Sequence, residues 1–178
     1  MNEVRARMVE FLPRLRRFAY ALTGDSDLGD DLVQETCVRA LSRVDQFQSG
    51  TRLDSWMFRI AQNIWLDRAR SRKTRGEVLG LEAASDVSIT DGRDVVESRL
   101  SLQVVNRAIS QLPNDQQVLL ALVCVDGRSY KETADIMKVP VGTVMSRLSR
   151  ARRLLMEYVE GKAKSSATAV LKLRGRSS

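Results

Sequence analysis

Apolar side chains recur at helical spacing through most of the chain. Val4, Met8, Phe11, Leu12, Leu15, Phe18, Ala19 and Leu22 predict a helix over residues 3–23, and Gly24 stops it. A second helix is predicted from Ser26 or Asp27, whose short polar side chains suit an N-cap, to about Val44, on Leu28, Leu32, Val33, Val38 and Leu41. Gln48-Ser49-Gly50-Thr51 reads as a loop. From about Asp54 to Arg72, Trp56, Met57, Ile60, Ala61, Ile64 and Trp65 share one broad face, opposite Arg59, Gln62, Asn63 and Arg70. These three helices can bury one small core. Trp56 and Trp65 invite a base-stacking reading, but their spacing with Ile60 and Ala61 favours packing.

Periodicity then lapses. Residues 73–93 collect Gly76, Gly80, Ser85, Ser88, Asp91 and Gly92, the composition of a linker. It resumes at Val95, Val96, Leu100, Leu102, Val105 and Ile109, and Leu112-Pro113-Asn114-Asp115 ends that helix and caps the next. An apolar helix over residues 115–125 closes at Asp126-Gly127, the glycine supplying the left-handed conformation common at helix C-termini.

Ser129 and Glu132 have the spacing of a capping box, in which hydroxyl and carboxylate each satisfy a free amide of the first turn. Pro140 ends that short helix near Lys138 and starts another at about Val141. Two helices joined by so short a turn form a helix-turn-helix unit, with Ala134 small enough for close approach. At ~100° per residue, Val144, Leu148, Ala151 and Leu155 form the buried stripe of the second helix. Met145, Ser146, Ser149, Arg150 and Arg153 lie opposite, where small polar groups and guanidinium forks suit a DNA major groove.

Composition and charge sharpen this picture. The 178 residues contain 29 Lys+Arg, 22 Asp+Glu and no histidine, for a formal net charge of +7. Without an imidazole, Ser-His-Asp and Cys-His catalysis and histidine-based zinc sites are excluded in their usual forms. With 43% hydrophobic but only 5% aromatic residues, the chain favours an all-α fold. No apolar run approaches the ~18–20 residues that span a bilayer, so the expectation is a soluble cytoplasmic protein without membrane insertion. Cys37 and Cys124 have neither disulfide-framework nor CxxC spacing and read as small hydrophobes.

The charge is segregated. Asp27, Asp30, Asp31 and Glu35 form an acidic patch, while Arg59, Arg68, Arg70, Arg72, Lys73 and Arg75 face only Asp67 between residues 59 and 76. Residues 77–99 are acidic again. Arg147, Arg150, Arg152 and Arg153 are uncompensated between Gly142 and Met156, and the stretch after Gly161 reads as an unstructured basic tail, with room for a short helical turn over 167–173. Two basic surfaces separated by an acidic connector suit two contacts with one polyanion.

Asp31-Leu32-Val33-Gln34-Glu35-Thr36, Trp56-Met57-Phe58-Arg59-Ile60-Ala61-Gln62-Asn63 with Asp67-Arg68, Leu112-Pro113, and Val139-Pro140-Val141-Gly142-Thr143-Val144 with Ser146-Arg147-Leu148 and Arg150-Ala151-Arg152 resemble, in order, the signatures of extracytoplasmic-function (ECF) σ factors of the bacterial σ70 family. The resemblance covers about residues 8–158. It implies two small helical domains joined by a flexible linker: a σ2-like three- or four-helix bundle over 1–72, a linker over 73–93, a σ4-like helix-turn-helix domain over 94–160, then the tail over 161–178. It further implies a non-enzymatic factor, without cofactor or metal, that binds core RNA polymerase at the β′ clamp helices and β flap, recognises and opens promoter DNA, and is held in check by an anti-σ factor.

Carried over by motif, Asp31, Leu32, Val33, Gln34, Glu35 and Arg39 become core-polymerase-binding residues. Phe47, Thr51, Arg59, Asn63, Arg68, Arg70, Arg72 and Lys73 become the −10 set, in which Asn63 offers a donor and an acceptor to a base edge. Thr143, Met145, Ser146, Arg147, Ser149, Arg150 and Arg153 become the −35 set. The chain departs from the family pattern at Cys37 and Leu41, where aromatics are frequent, at Met145, often Lys or Arg, and at Lys138, commonly Gly, where a left-handed backbone would cost ~1 kcal/mol.

Two other readings compete. A stand-alone helix-turn-helix repressor explains the second half but leaves the Asp-Leu-Val-Gln-Glu segment and the third helix idle. A metal-dependent nuclease or calcium site at Asp25, Asp27, Asp30 and Asp31 fails the calcium-loop template, since Gly29 falls one position early and Thr36 stands where the bidentate Glu belongs.

Overall fold

The computed structural model describes residues 2–47, 50–75 and 105–174, with side chains except those of Asn2, Lys73 and 162–174. Residues 76–104, which hold most of the expected linker and the start of the fourth helix, lie outside the described residues, as do Gln48 and Ser49. Among the described residues the secondary structure is helical, without a strand.

α1 (Asn2–Thr23) is carried through Pro13 by a stripe of buried side chains on both sides of it, Met8, Phe11, Leu15, Phe18 and Leu22. Gly24 ends it with φ +68. α2 (Ser26–Ser42) is capped by Asp25, whose side chain accepts from the Leu28 amide at 2.9 Å, so Ser26 and Asp27 belong to the first turn and not to the cap. It stops two residues short of the expected end, at a 3₁₀ turn over Val44–Gln46. α3 (Leu53–Thr74) packs on both. Its Phe58 ring lies edge-on to Phe11 and tilted to Phe18, each at 4.9 Å, contacts worth ~0.5–1.5 kcal/mol beyond their buried area. Gln62, read from the sequence as a polar-face residue, is buried in α3.

In the second half, residues 105–110 form α4 and Asn114–Leu120 form α5. Within the expected Leu112-Pro113-Asn114-Asp115 junction, Pro113 occupies the cap of α5 without a side-chain bond, and Asn114 and Asp115 belong to the first turn. The predicted helix to 125 changes pitch: Ala121–Val125 is a single π-helical turn, closed by the Asp126 amide on the Ala121 carbonyl at 3.0 Å, and Gly127 follows at φ +72. α6 (Tyr130–Met137) opens with the complete Ser129–Glu132 capping box. α7 (Val141–Arg174) buries Val144, Leu148 and Ala151. It runs on to Arg174 through the stretch expected as an unstructured tail, which lacks Gly and Pro between 162 and 174. Lys138 is left-handed at φ 56, ψ 45, and its amide bonds the Ala134 carbonyl.

The two halves are docked. One hydrophobic cluster runs through both, α1 packs on the π-turn, and α3 packs on α5 and α6. Arg128, only 4% exposed, forms the centre of the contact. Its guanidinium lies 5.2 Å from the Phe58 ring centroid and bonds Asp54 at 2.6 Å, Asp126 at 2.7 Å and Glu132 at 3.4 Å. Arg14 forks onto Asp126 at 3.0 and 2.8 Å, and Arg52 pairs with both Asp54 and Glu132. Burial works to raise the Asp54 pKa, but hydrogen bonds from Arg52 and Arg128 outweigh it and hold the carboxyl at about 2, below its ordinary 3.8. Glu132 is held at about 2, below 4.5, first by the Ser129 amide and hydroxyl and then by Arg52 and Arg128.

Both carboxyls bind protons more weakly folded than unfolded, so their stabilisation is complete above about pH 5 and is lost as pH falls toward 2. Urea midpoints should therefore be level from pH 7 to about 5 and decline below it, with a shallower decline in Asp54→Asn. Lys138→Gly relieves the left-handed residue and should raise stability by about 0.5–1 kcal/mol in the same assay.

Candidate functional site

α2 offers a divided surface. Leu32 (0% exposed) and Val33 (7%), expected to be shared between packing and interface, lie in the core and hold α2 on α1 and α3. Asp31 and Gln34 are exposed on the outer side, with Val38 (66% exposed) and Leu41 adding an apolar edge. Glu35 is not a free carboxylate. It accepts from Arg39 at 2.6 Å and from Arg68 of α3 at 2.7 Å, and Asp30 takes a two-pronged bond from Arg16 at 2.9 and 3.0 Å. The acidic patch is thus partly neutralised, leaving Asp27 and Asp31 without an ion pair among the described residues.

Several members of the −10 set are engaged within the fold. Phe47 is half-buried with its ring 5.2 Å from Trp56, and Arg72 lies 5.1 Å over buried Trp65, so both tryptophans serve packing. Arg68 is tied to Glu35. Arg59 donates to the last-turn carbonyls of α6, Asp135 at 2.7 Å and Ile136 at 3.3 Å. Arg70 is exposed beside Asp67 at 3.3 Å, and Asn63 and Thr51 are exposed. The side chain of Lys73 lies outside the described residues.

α7 presents the third surface. Met145 is 54% exposed, and Ser146, Ser149, Arg150 and Arg153 line one shallow cleft on the side opposite Val144, Leu148 and Ala151. Arg150 and Arg152 are exposed and unpaired among the described residues; Arg153 lies 3.7 Å from Glu157. Thr143 is half-buried, its carbonyl accepting from Ser146 Oγ at 3.1 Å. Arg147, a member of the −35 set, pairs with Asp115 at 2.8 Å and pins α7 to α5. An arginine-bearing face whose one neighbouring carboxylate is Glu157 at its end, on the second helix of a helix-turn-helix, has the charge and shape that suit a nucleic-acid groove.

Sequence comparison agrees in order and extent. The Sigma-70 region 2 model matches residues 8–75 and the Sigma-70, region 4 model matches residues 102–155. The chain is similar to ECF RNA polymerase sigma factor EcfG of Rhodopseudomonas palustris (strain TIE-1), 36% identical over 162 residues, 90% of this chain and 88% of that one. The chain belongs to the ECF σ factors.

SigW of Bacillus subtilis (strain 168) is a further relative of this σ factor, 30% identical over 155 residues, 82% of this chain and 83% of that one. Among solved structures, that of the sigma factor RpoE in complex with the anti-sigma factor NepR from Bartonella quintana matches at a TM-score of 0.70 and 31% identity, covering 90% of this chain and 98% of that one. As a σ factor the chain is a transcription initiation factor and not an enzyme. Among the described residues no group of three or more His, Cys, Asp or Glu is arranged to hold a metal, and no helix is long and apolar enough to cross a membrane.

Within the σ factor, the cysteines differ. Cys37, beside the exposed edge of α2, is half-buried and burial pushes its thiol pKa up, whereas Cys124 is exposed. Iodoacetamide at pH 8 should therefore modify Cys124 at least about tenfold faster than Cys37, as read by peptide mass spectrometry.

Proposed function

We propose that this ECF σ factor binds core RNA polymerase through the outer side of α2, presenting Asp31 and Gln34 beside Glu35, Arg39 and the apolar edge of Val38 and Leu41. Charge at this edge would orient the encounter with the β′ clamp helices, and the apolar residues would be desolvated on docking. The second half engages the β flap. In the same reading α3 serves the −10 element: Asn63 hydrogen-bonds an extruded base, while Arg59, Arg70 and Arg72 lie along the backbone. Leaving the stack costs a base a few kcal/mol, which pocket contacts and phosphate neutralisation must offset.

The −35 element is assigned to the open face of α7, and this face is the observation that carries the reading. Arg150 is a fork without an ion pair among the described residues, beside two serines, suited to guanine O6 and N7, and Met145 suits a thymine methyl. Arg68 and Arg147 act as positioning residues, holding α2 against α3 and α7 against α5. Control by an anti-σ factor is supported by the Bartonella relative, solved with NepR. A stand-alone repressor would have no use for α1 to α3, which carry the region 2 match.

The test is transcription reconstituted with core polymerase, after sequencing of the promoters that the holoenzyme retains. Arg150→Ala should lower output from those promoters roughly tenfold, corresponding to about 1–3 kcal/mol for one base contact, and relax preference at a single position of the −35 element. Failure of the wild-type chain to stimulate core enzyme on any promoter would overturn the assignment.

A further inference from the structure

We propose that Lys138, the left-handed residue at the turn between α6 and α7, is a phosphate-binding residue, whose ammonium seats the helix-turn-helix on the DNA backbone at the border of the groove that α7 reads. The inference rests on the assignment of α7 to the −35 element. It adds a contact outside the reading face, at a residue whose cost to the fold is visible in its backbone.

The conformation at residue 138 is dictated by the joint between two helices. α6 ends where the amides of Lys138 and Val139 both turn back to the Ala134 carbonyl, the second at 3.1 Å. Pro140 then opens α7, its carbonyl accepting from the Thr143 and Val144 amides at 2.9 and 3.2 Å. Such a closure calls for positive φ at residue 138 whatever side chain stands there. Two other helix ends take positive φ at Gly24 and Gly127, +68 and +72, where glycine meets no steric penalty. Lys138 takes φ 56 with a full side chain, the one non-glycine residue to do so among the described residues.

Nothing within the fold offsets that strain. The Lys138 side chain is exposed and forms no ion pair among the described residues, and Asp135, the nearest carboxylate in sequence, is not paired with it. Glycine would relax the backbone and remove no internal contact of the side chain. What the side chain contributes therefore lies outside the molecule. It offers one positive charge on a flexible stem, which binds a phosphate as a point charge without demanding a fixed geometry.

Position selects the partner. Lys138 stands three residues ahead of Val141, where α7 starts. In a helix-turn-helix the first helix crosses the DNA backbone and the start of the second enters the major groove, so the turn between them lies over the strand that borders the groove. No acidic residue stands in the first turn of α7, and Gly142 there puts no side chain into the open space before it, where a Cβ would meet no atom within 4 Å. A phosphate can thus approach the ammonium without meeting negative charge or bulk from that turn. The contact reads no base. It fixes the depth and register of α7, on which base contacts by Met145 and Arg150 depend.

The test sets stability against DNA binding. Full-length Lys138→Gly, Lys138→Asn and Lys138→Arg are each assembled with core polymerase, and promoter binding is titrated from about 0.05 to about 0.2 M salt. Asparagine tolerates the left-handed backbone without the charge, and arginine keeps the charge. Both neutral variants should bind about tenfold more weakly at the lower salt, by the same factor on every promoter. Their log–log salt slope should be shallower by about 0.9, the share of one phosphate. Lys138→Arg should match the wild type in affinity and slope. Lys138→Gly should lose affinity while showing the raised urea midpoint expected above, which separates lost binding from a weakened fold. Wild-type affinity and slope in either neutral variant, or an arginine variant as weak as they are, overturns the proposal. A loss that appears in assembly with core polymerase instead of in promoter binding also overturns it, and places the ammonium on an acidic protein surface. Failure of the −35 assignment itself would show separately, as Arg150→Ala leaving base preference unchanged.

Discussion

A guanidinium with almost no exposed surface has to be surrounded by charge, and Arg128 sets that condition for the rest of the structure. Its carboxylate partners come from three places: Asp54 from the start of α3, Asp126 from the end of the π-turn and Glu132 from the cap of α6. A buried ion pair is weak evidence for stability, because desolvation offsets much of the attraction, but removing one partner leaves a stranded charge at a cost of about 3–5 kcal/mol. The cluster therefore specifies arrangement more than it adds strength. It fixes which surface of the helix-turn-helix half meets the α1–α3 half, and Phe58 gives the cation an aromatic floor.

The local geometry around Arg128 serves the same end. The π-turn widens the backbone immediately before Asp126, and the Arg128 amide reaches back to the Leu122 carbonyl at 3.0 Å. Glu132 completes a capping box with Ser129 while receiving Arg52 and Arg128. One carboxylate thus satisfies a helix start and a contact between halves, so capping and docking are coupled through a single side chain.

Local features were legible in the sequence because their causes are local. Ser129 and Glu132 announce the box, Pro140 ends one helix and starts another, Gly24 and Gly127 take positive φ, and the stripe of Val144, Leu148 and Ala151 lies where the periodicity puts it. The outward face of α7 follows from that stripe by geometry alone. Docking was not legible. Arg14 and Asp126 are 112 positions apart and Asp54 and Arg128 are 74 apart, and at such separation charge patterning cannot say which arginine meets which carboxylate. Arg128 stood in the sequence only as the residue after a helix-ending glycine. For the same reason Glu35, Arg68 and Arg147 looked available to partners when the fold had already paired them.

Glu35 has one carboxylate and two claimants on different helices, Arg39 beside it on α2 and Arg68 across on α3. A cation approaching from outside α2 competes for the same two oxygens. Arg39 holds Oε1 and Arg68 holds Oε2, so a newcomer at Oε2 loosens the tie between α2 and α3, whereas one at Oε1 leaves that tie in place.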